Sequence, residues 1–211
     1  MYYESFSQMK KMLGQLEKWL DTAEAYAKEK SFDPNVFVNF RLAPDQFPFS
    51  RQIQTACDTA KLSASRLTGK EAPKHADTEQ TLDELRARIR AVIGYLDGMN
   101  AKDYEGAATR SITQPRWEGK VMTGADYFLE HAQPNFFFHL THSYAILRHN
   151  GVAVGKRDYL GALSQRPLGV SGARPVEVVA HGAHLLHLPP SRLLQQRLFR
   201  REMLVEGARS G

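Results

Sequence analysis

The side chains best suited to chemistry crowd into one stretch, from Pro134 to Gly161. His139 and His142 stand three residues apart there. On a helix that spacing sets two imidazoles about 60° apart around the axis. Imidazole nitrogens bind zinc or nickel well, so the pair is a candidate divalent-metal site. A third ligand would have to come from elsewhere, such as Asp45 or Asp58. The competing reading is a half-buried histidine hydrogen-bonded inside a helical bundle. Tyr144 and Arg148 follow on the same helix as candidates for contact with a small ligand. Arg148 with Lys156 and Arg157 would make an anion pocket, although such side chains also snorkel or pair with local acids such as Asp158. His149 falls at the helix end, where the last carbonyls and the helix dipole account for it.

Other reactive types carry less. Cys57 lies in a stripe of small residues and reads as a buried, inert thiol. Ser171, in Gly169-Val-Ser-Gly, lacks the strand-turn-helix setting of a nucleophile elbow. Glu177, His181, His184 and His187 have helical spacings, but they sit in a Gly/Pro-rich segment that makes a poor metal frame. No phosphate-binding loop or dinucleotide fingerprint occurs.

The elements that must position these groups are helices. Phe6, Met9, Leu13, Leu16, Leu20, Ala23 and Ala27 alternate by three and four, with Met12, Trp19 and Tyr26 beside them. This pattern predicts a long amphipathic helix that ends before Pro34. Gly14 costs it about 1 kcal/mol relative to alanine. Residues 35–48 form an aromatic linker. A second helix is expected over about 49–67, with Ile53, Ala56, Cys57, Ala60, Ala64 and Leu67 on one side and a stop at Gly69. Thr81 and Glu84 form a capping-box pattern that opens a third helix to about residue 100. Residues 103–124 break the helical period and read as a small hairpin, with extended pieces at 108–113 and 116–122. The fourth long helix is expected over 134–149, with Pro134 in its first turn, a core face of Phe136, Phe137, Leu140, Tyr144 and Leu147, and a glycine exit at Gly151. Four helices with one apolar stripe each can hide those stripes only against one another. The fold class is therefore all-α, a four-helix bundle with a small excursion before its last helix.

The chain has 211 residues and a formal net charge of +5. Residues 161–211 hold seven Arg, no Lys and three Glu, a net of +4, which leaves +1 for residues 1–160. The main body thus has no electrostatic reason to bind nucleic acid. Composition shifts at the same point, which divides the chain into a bundle over 1–161 and a basic extension over 162–211. Within that extension Ser191 would cap a short basic helix, roughly 192–205, that could touch anionic surfaces. A single cysteine, no secretory leader and no apolar run long enough to cross a bilayer make the cytoplasm the expected location.

The segments Asp45-Gln-Phe-Pro-Phe-Ser-Arg-Gln52, Pro134-Asn-Phe-Phe-Phe-His139, Tyr144-Ala-Ile-Leu-Arg-His-Asn-Gly151 and Gly155-Lys-Arg-Asp-Tyr-Leu-Gly161 resemble an uncharacterised bacterial family. That family belongs with the DinB/YfiT-like four-helix bundles, a group described as metalloenzymes. The resemblance covers about residues 1–161. In that superfamily the usual metal set is one histidine from the second helix and an H-x-x-x-H pair from the fourth. Here the second helix has no histidine, and Ser143 stands four residues after His139. By resemblance only His139 matches a ligand position. The expected function is small-ligand binding, or no catalysis of its own. The alternative is a metal-dependent transferase or hydrolase with an incomplete histidine site. A third class is an interaction protein that forms a homodimer through a helix face.

Overall fold

The computed structural model describes residues 1–167. The first compact unit runs from Met1 to Leu163. The basic helix expected near 192–205, and the histidines at 181, 184 and 187, lie outside the described residues. None of the described helices is long and apolar enough to cross a membrane.

Helix α1 spans Tyr2–Glu29 and buries the expected seam, including Trp19. The 3-10 helix Pro34–Asn39 follows, opened by Asp33, whose carboxylate accepts from the Asn35 N–H at 2.9 Å. It seats Phe37 and Val38 in the core. Helix α2 spans Phe49–Thr68 and stops at Gly69, whose φ of 80° is the left-handed exit that glycine allows. Helix α3 spans Leu82–Asp97 and begins with the predicted capping box: Thr81 accepts from the Glu84 N–H, and Glu84 accepts from the Thr81 N–H. Around the bundle the order is α1, α3, α2 and then the last long helix, which closes onto α1. Sequence neighbours α1 and α2 are therefore diagonal. The aromatic linker is long enough to make that step.

The excursion is less extended than its sequence implies. Strands β1, Ser111–Ile112, and β2, Met122–Thr123, pair antiparallel, with Ser111 opposite Thr123. The rest is turns, including 3-10 turns at Ala107–Thr109 and Pro115–Trp117. Gly124 then starts a helical run. A Cβ there would lie 1.9 Å from the Ala107 carbonyl oxygen, so only glycine lets the excursion close against the helix.

That run has three parts: α4, Gly124–Asp126, a π-helical segment, Tyr127–Ala132, and α5, Gln133–His149. Pro134 thus sits inside a continuous helix, where the sequence places it at a beginning. Proline has no N–H for the carbonyl four residues back, and its ring crowds that carbonyl. The π turn widens the spiral just ahead of it, with the Gln133 N–H donating to the Phe128 carbonyl. The core face of α5 is also rotated from the expected one. Phe136, Leu140 and Leu147 are buried as predicted. His139, Ser143 and Ile146 are buried with them, while Phe137 and Tyr144 are half-buried. Helix α6, Lys156–Leu160, docks on α1 by placing Tyr159 over Trp19, whose indole N–H donates to the Asp158 carbonyl at 3.2 Å.

Candidate functional site

Helices α2 and α5 make the most extensive contact in the bundle. The small side chains of α2 (Ala56, Ala60, Ser63 and Ala64) let the two backbones approach. Short polar side chains cross the seam: Asn135 donates to the Thr59 hydroxyl at 2.7 Å. His139 lies in this seam, only 7 % exposed. Its Nδ1 is 2.7 Å from the Gln52 Oε1. The Gln52 amide nitrogen donates to the Phe47 carbonyl at 3.1 Å. With that amide direction set, Oε1 faces the ring, so His139 Nδ1 carries the proton and donates. The Nε2 lone pair is left without a protein partner among the described residues. Burial, with His142 and then Arg51 nearby, pushes the His139 pKa down to about 4. At neutral pH the ring is uncharged.

The mouth of this site is aromatic. Phe47 stacks on His139 with centroids 6.2 Å apart, and Phe138 meets its edge at 5.1 Å. Both phenylalanines are about half exposed, at 49 % and 54 %. Arg51 lies over the Phe47 ring. His142 is turned outward: its Nδ1 donates to the Phe138 carbonyl at 2.7 Å, and its ring packs against Phe138.

The remaining candidates are not gathered here. Tyr144 faces α1 and α6, where it packs edge-on against Trp19 and Tyr159 and donates to the Val154 carbonyl at 3.4 Å. Arg148 is exposed at the far end of α5. Asp58 points into the α2–α3 seam and is held there by Arg88 and Lys61. Asp45 is exposed in the linker. Among the described residues no group of three or more His, Cys, Asp or Glu is placed to hold a metal ion. The residues flanking His139 are Gln52 on α2 and Ser143 one turn on, whose hydroxyl donates to the His139 carbonyl. An amide and a hydroxyl, not imidazoles, flank His139, so the three-histidine set that the resemblance implies does not fit this chain. Cys57 is fully buried, and burial pushes its thiol up to about 12, well out of reach of thiolate chemistry.

Two further polar clusters were not singled out by the sequence pattern. One surrounds Arg88, 2 % exposed, whose guanidinium donates to Asp58 at 2.6 Å, Asp77 at 2.6 Å and Glu79 at 2.8 Å. Burial alone would raise Asp77 and Glu79, but their bonds to arginine outweigh it and hold both below the usual carboxylate range. The signal was a charged residue between Leu85 and Val92 on the apolar seam of α3. The other cluster lies on the π-helical turn, where Tyr127 and His131 meet Arg66 and Arg116. Its signal was weak, because Tyr127 and His131 fall between the excursion and the expected start of the fourth helix at residue 134. Gln52 carried a clearer one. It closes the Asp45–Gln52 motif on which the resemblance rests.

Four long helices, with α2 and α5 packed along their length, make a DinB-like bundle. Residues 1–160 match the family described as Domain of unknown function (DUF1993), and the chain belongs to that family. It is also similar, at 52 % identity, to a DinB family member protein from Shewanella denitrificans whose crystal structure is known. That match covers 79 % of this chain and 96 % of the other, with a TM-score of 0.77. No curated protein matches the chain.

Proposed function

We propose that this protein binds a small, partly apolar molecule at the end of the bundle where α2 begins, with His139 as the group that reads it. The observation that carries this reading is the state of His139: neutral, oriented through Gln52, and with Nε2 unclaimed at an aromatic mouth. Such a nitrogen accepts from one hydroxyl, amine or thiol donor, while Phe47 and Phe138 cover the apolar part. Ligand-observed NMR with a fragment set tests it, using the wild type beside His139→Ala. Donor-bearing aromatic fragments should bind the first and lose at least tenfold on the second. Undiminished binding to His139→Ala would defeat the reading.

The metal-dependent transferase or hydrolase is favoured by the same Nε2 lone pair, which suits zinc or nickel as well as a donor proton. Gln52 and Ser143, the side chains next to His139, do not complete a nitrogen set. Metal analysis of purified wild type beside His139→Ala separates the two. Stoichiometric zinc lost in the variant would replace the first reading with the second.

A further inference from the structure

The π-helical turn holds a second cluster, separate from His139. Tyr127 is fully buried, with its hydroxyl 2.9 Å from Ser63 Oγ and accepting from Arg66 at 3.0 Å. Arg66 also lies over the Tyr127 ring. His131 stacks on that ring with centroids 5.4 Å apart and planes 16° from parallel. Trp117, from the excursion, meets both rings edge-on. Arg116, next to it and exposed, donates to His131 Nε2.

What is missing here is negative charge. Neither Arg66 nor Arg116 forms an ion pair among the described residues; their partners are a phenol and a neutral imidazole. The neighbouring acids in sequence, Glu118 and Glu130, form no hydrogen bond or ion pair with Arg66, Arg116 or His131 among the described residues. Asp126 accepts from Thr123 at 2.7 Å, and with Glu130 it lines a different cleft beside Thr109 and Ser111. His131 Nδ1 is buried without a partner. An arginine that only touches an aromatic hydroxyl or an imidazole keeps its planar donor fork available for an oxyanion. The excursion presents this fork at the surface, and the π turn turns His131 toward it.

We propose that Arg66, Arg116 and His131 form a binding site for a phosphate-type dianion, with Trp117 and Tyr127 as its walls. The dianion takes the guanidinium donors, and Arg116 releases Nε2. His131 then gains a proton from solvent at Nε2 and donates it to the anion. Burial, then Arg116 and Arg66, keep the free ring below the ordinary histidine range, so binding must be accompanied by proton uptake near neutral pH. The groups facing His131 are Arg116 and Trp117 from the excursion, Arg66 and Ser63 from α2 through Tyr127, and Tyr127 on its own turn.

The full chain is titrated with inorganic phosphate, and separately with acetate, while the histidine ring resonances are followed. Calorimetry is repeated in two buffers of different ionisation heat. Phosphate should shift the His131 resonances saturably, raise its apparent pKa and draw a proton from the buffer. Arg116→Gln, on the exposed rim, should weaken phosphate binding roughly tenfold or more, with Arg66→Lys as a second variant that keeps the charge but loses the fork. The proposal fails if phosphate leaves His131 unmoved, if Arg116→Gln binds like wild type, or if acetate binds as tightly as phosphate. Because Arg116 is exposed, a folded Arg116→Gln protein is expected, and its ring spectrum reports that directly.

Discussion

Helix α2 meets polar groups in the core on two sides, and the two seams are built on opposite terms. Toward α3 the groups are charged and answered: Arg88 meets three carboxylates, Lys61 meets Asp58, and Gln54 and Arg51 bind the same acids from the flank. Toward α5 they are neutral and partly unanswered: His139 has one nitrogen fixed and one free. A buried charge without its partners costs several kcal/mol, so the first seam has little freedom to do anything but hold the 69–81 loop against the bundle. A neutral imidazole with an open nitrogen costs far less, and the valence left over is what a ligand can use. The difference separates polar burial in which every charge is answered from polar burial that leaves a nitrogen open.

The sharpest way to break this contrast is at Arg88. Arg88→Met leaves Asp58, Asp77 and Glu79 facing one another, and urea unfolding should show a loss of about 3–5 kcal/mol. A loss below about 1 kcal/mol would mean that the network is ornamental. Acid comes next. His139 has a folded pKa of about 4, below its unfolded value, and His75 and His131 are lowered as well. The unfolded chain therefore binds protons that the folded chain refuses. The stability from these rings is whole above the unfolded histidine pKa of about 6.5 and declines as the pH falls toward the folded values. His139→Gln should flatten that decline between pH 6.5 and 4 by on the order of 2 kcal/mol, read from unfolding curves at stepped pH. Gln52→Leu should cost about 1–2 kcal/mol, because it strands the His139 N–H and the Phe47 carbonyl. The same variant should free the imidazole to change tautomer, which ring nitrogen shifts would register. Arg148→Ala is the smallest change. It should move stability by less than about 0.5 kcal/mol and leave the His139 resonances in place.

How much of this could be read beforehand depends on how local the cause is. The long helices were legible because stripes such as Leu13, Leu16 and Leu20, and caps such as Thr81 with Glu84, are set by neighbours in the chain. The family resemblance was legible because its motifs are short and continuous. Two things were not. Pro134 reads as a first-turn residue, and only the π turn before it, fitted to the excursion through Gly124, lets it sit inside a helical run. The partner of His139 was out of reach because it comes from α2, and pairing α2 with α5 is a matter of how the bundle is ordered. An isolated helix gives His139 at most a half-buried place beside its core face. The neighbour with small side chains draws it in.

The π-helical segment has one more effect. A π turn holds one residue more than an α turn, so it acts as a phase shifter along the run from Gly124 to His149. Everything before it keeps time with the excursion and Arg66; everything after keeps time with the α2 seam. A single-residue deletion at the exposed Leu129 would let the spiral run through as ordinary α-helix. Both halves would then stay in phase, because five α-helical residues turn through about the same angle as six π-helical ones; forced into α-helix without the deletion, the half carrying Tyr127 would be swung by about 100°. The extra residue is taken up within the turn itself, so neither half is turned against the other.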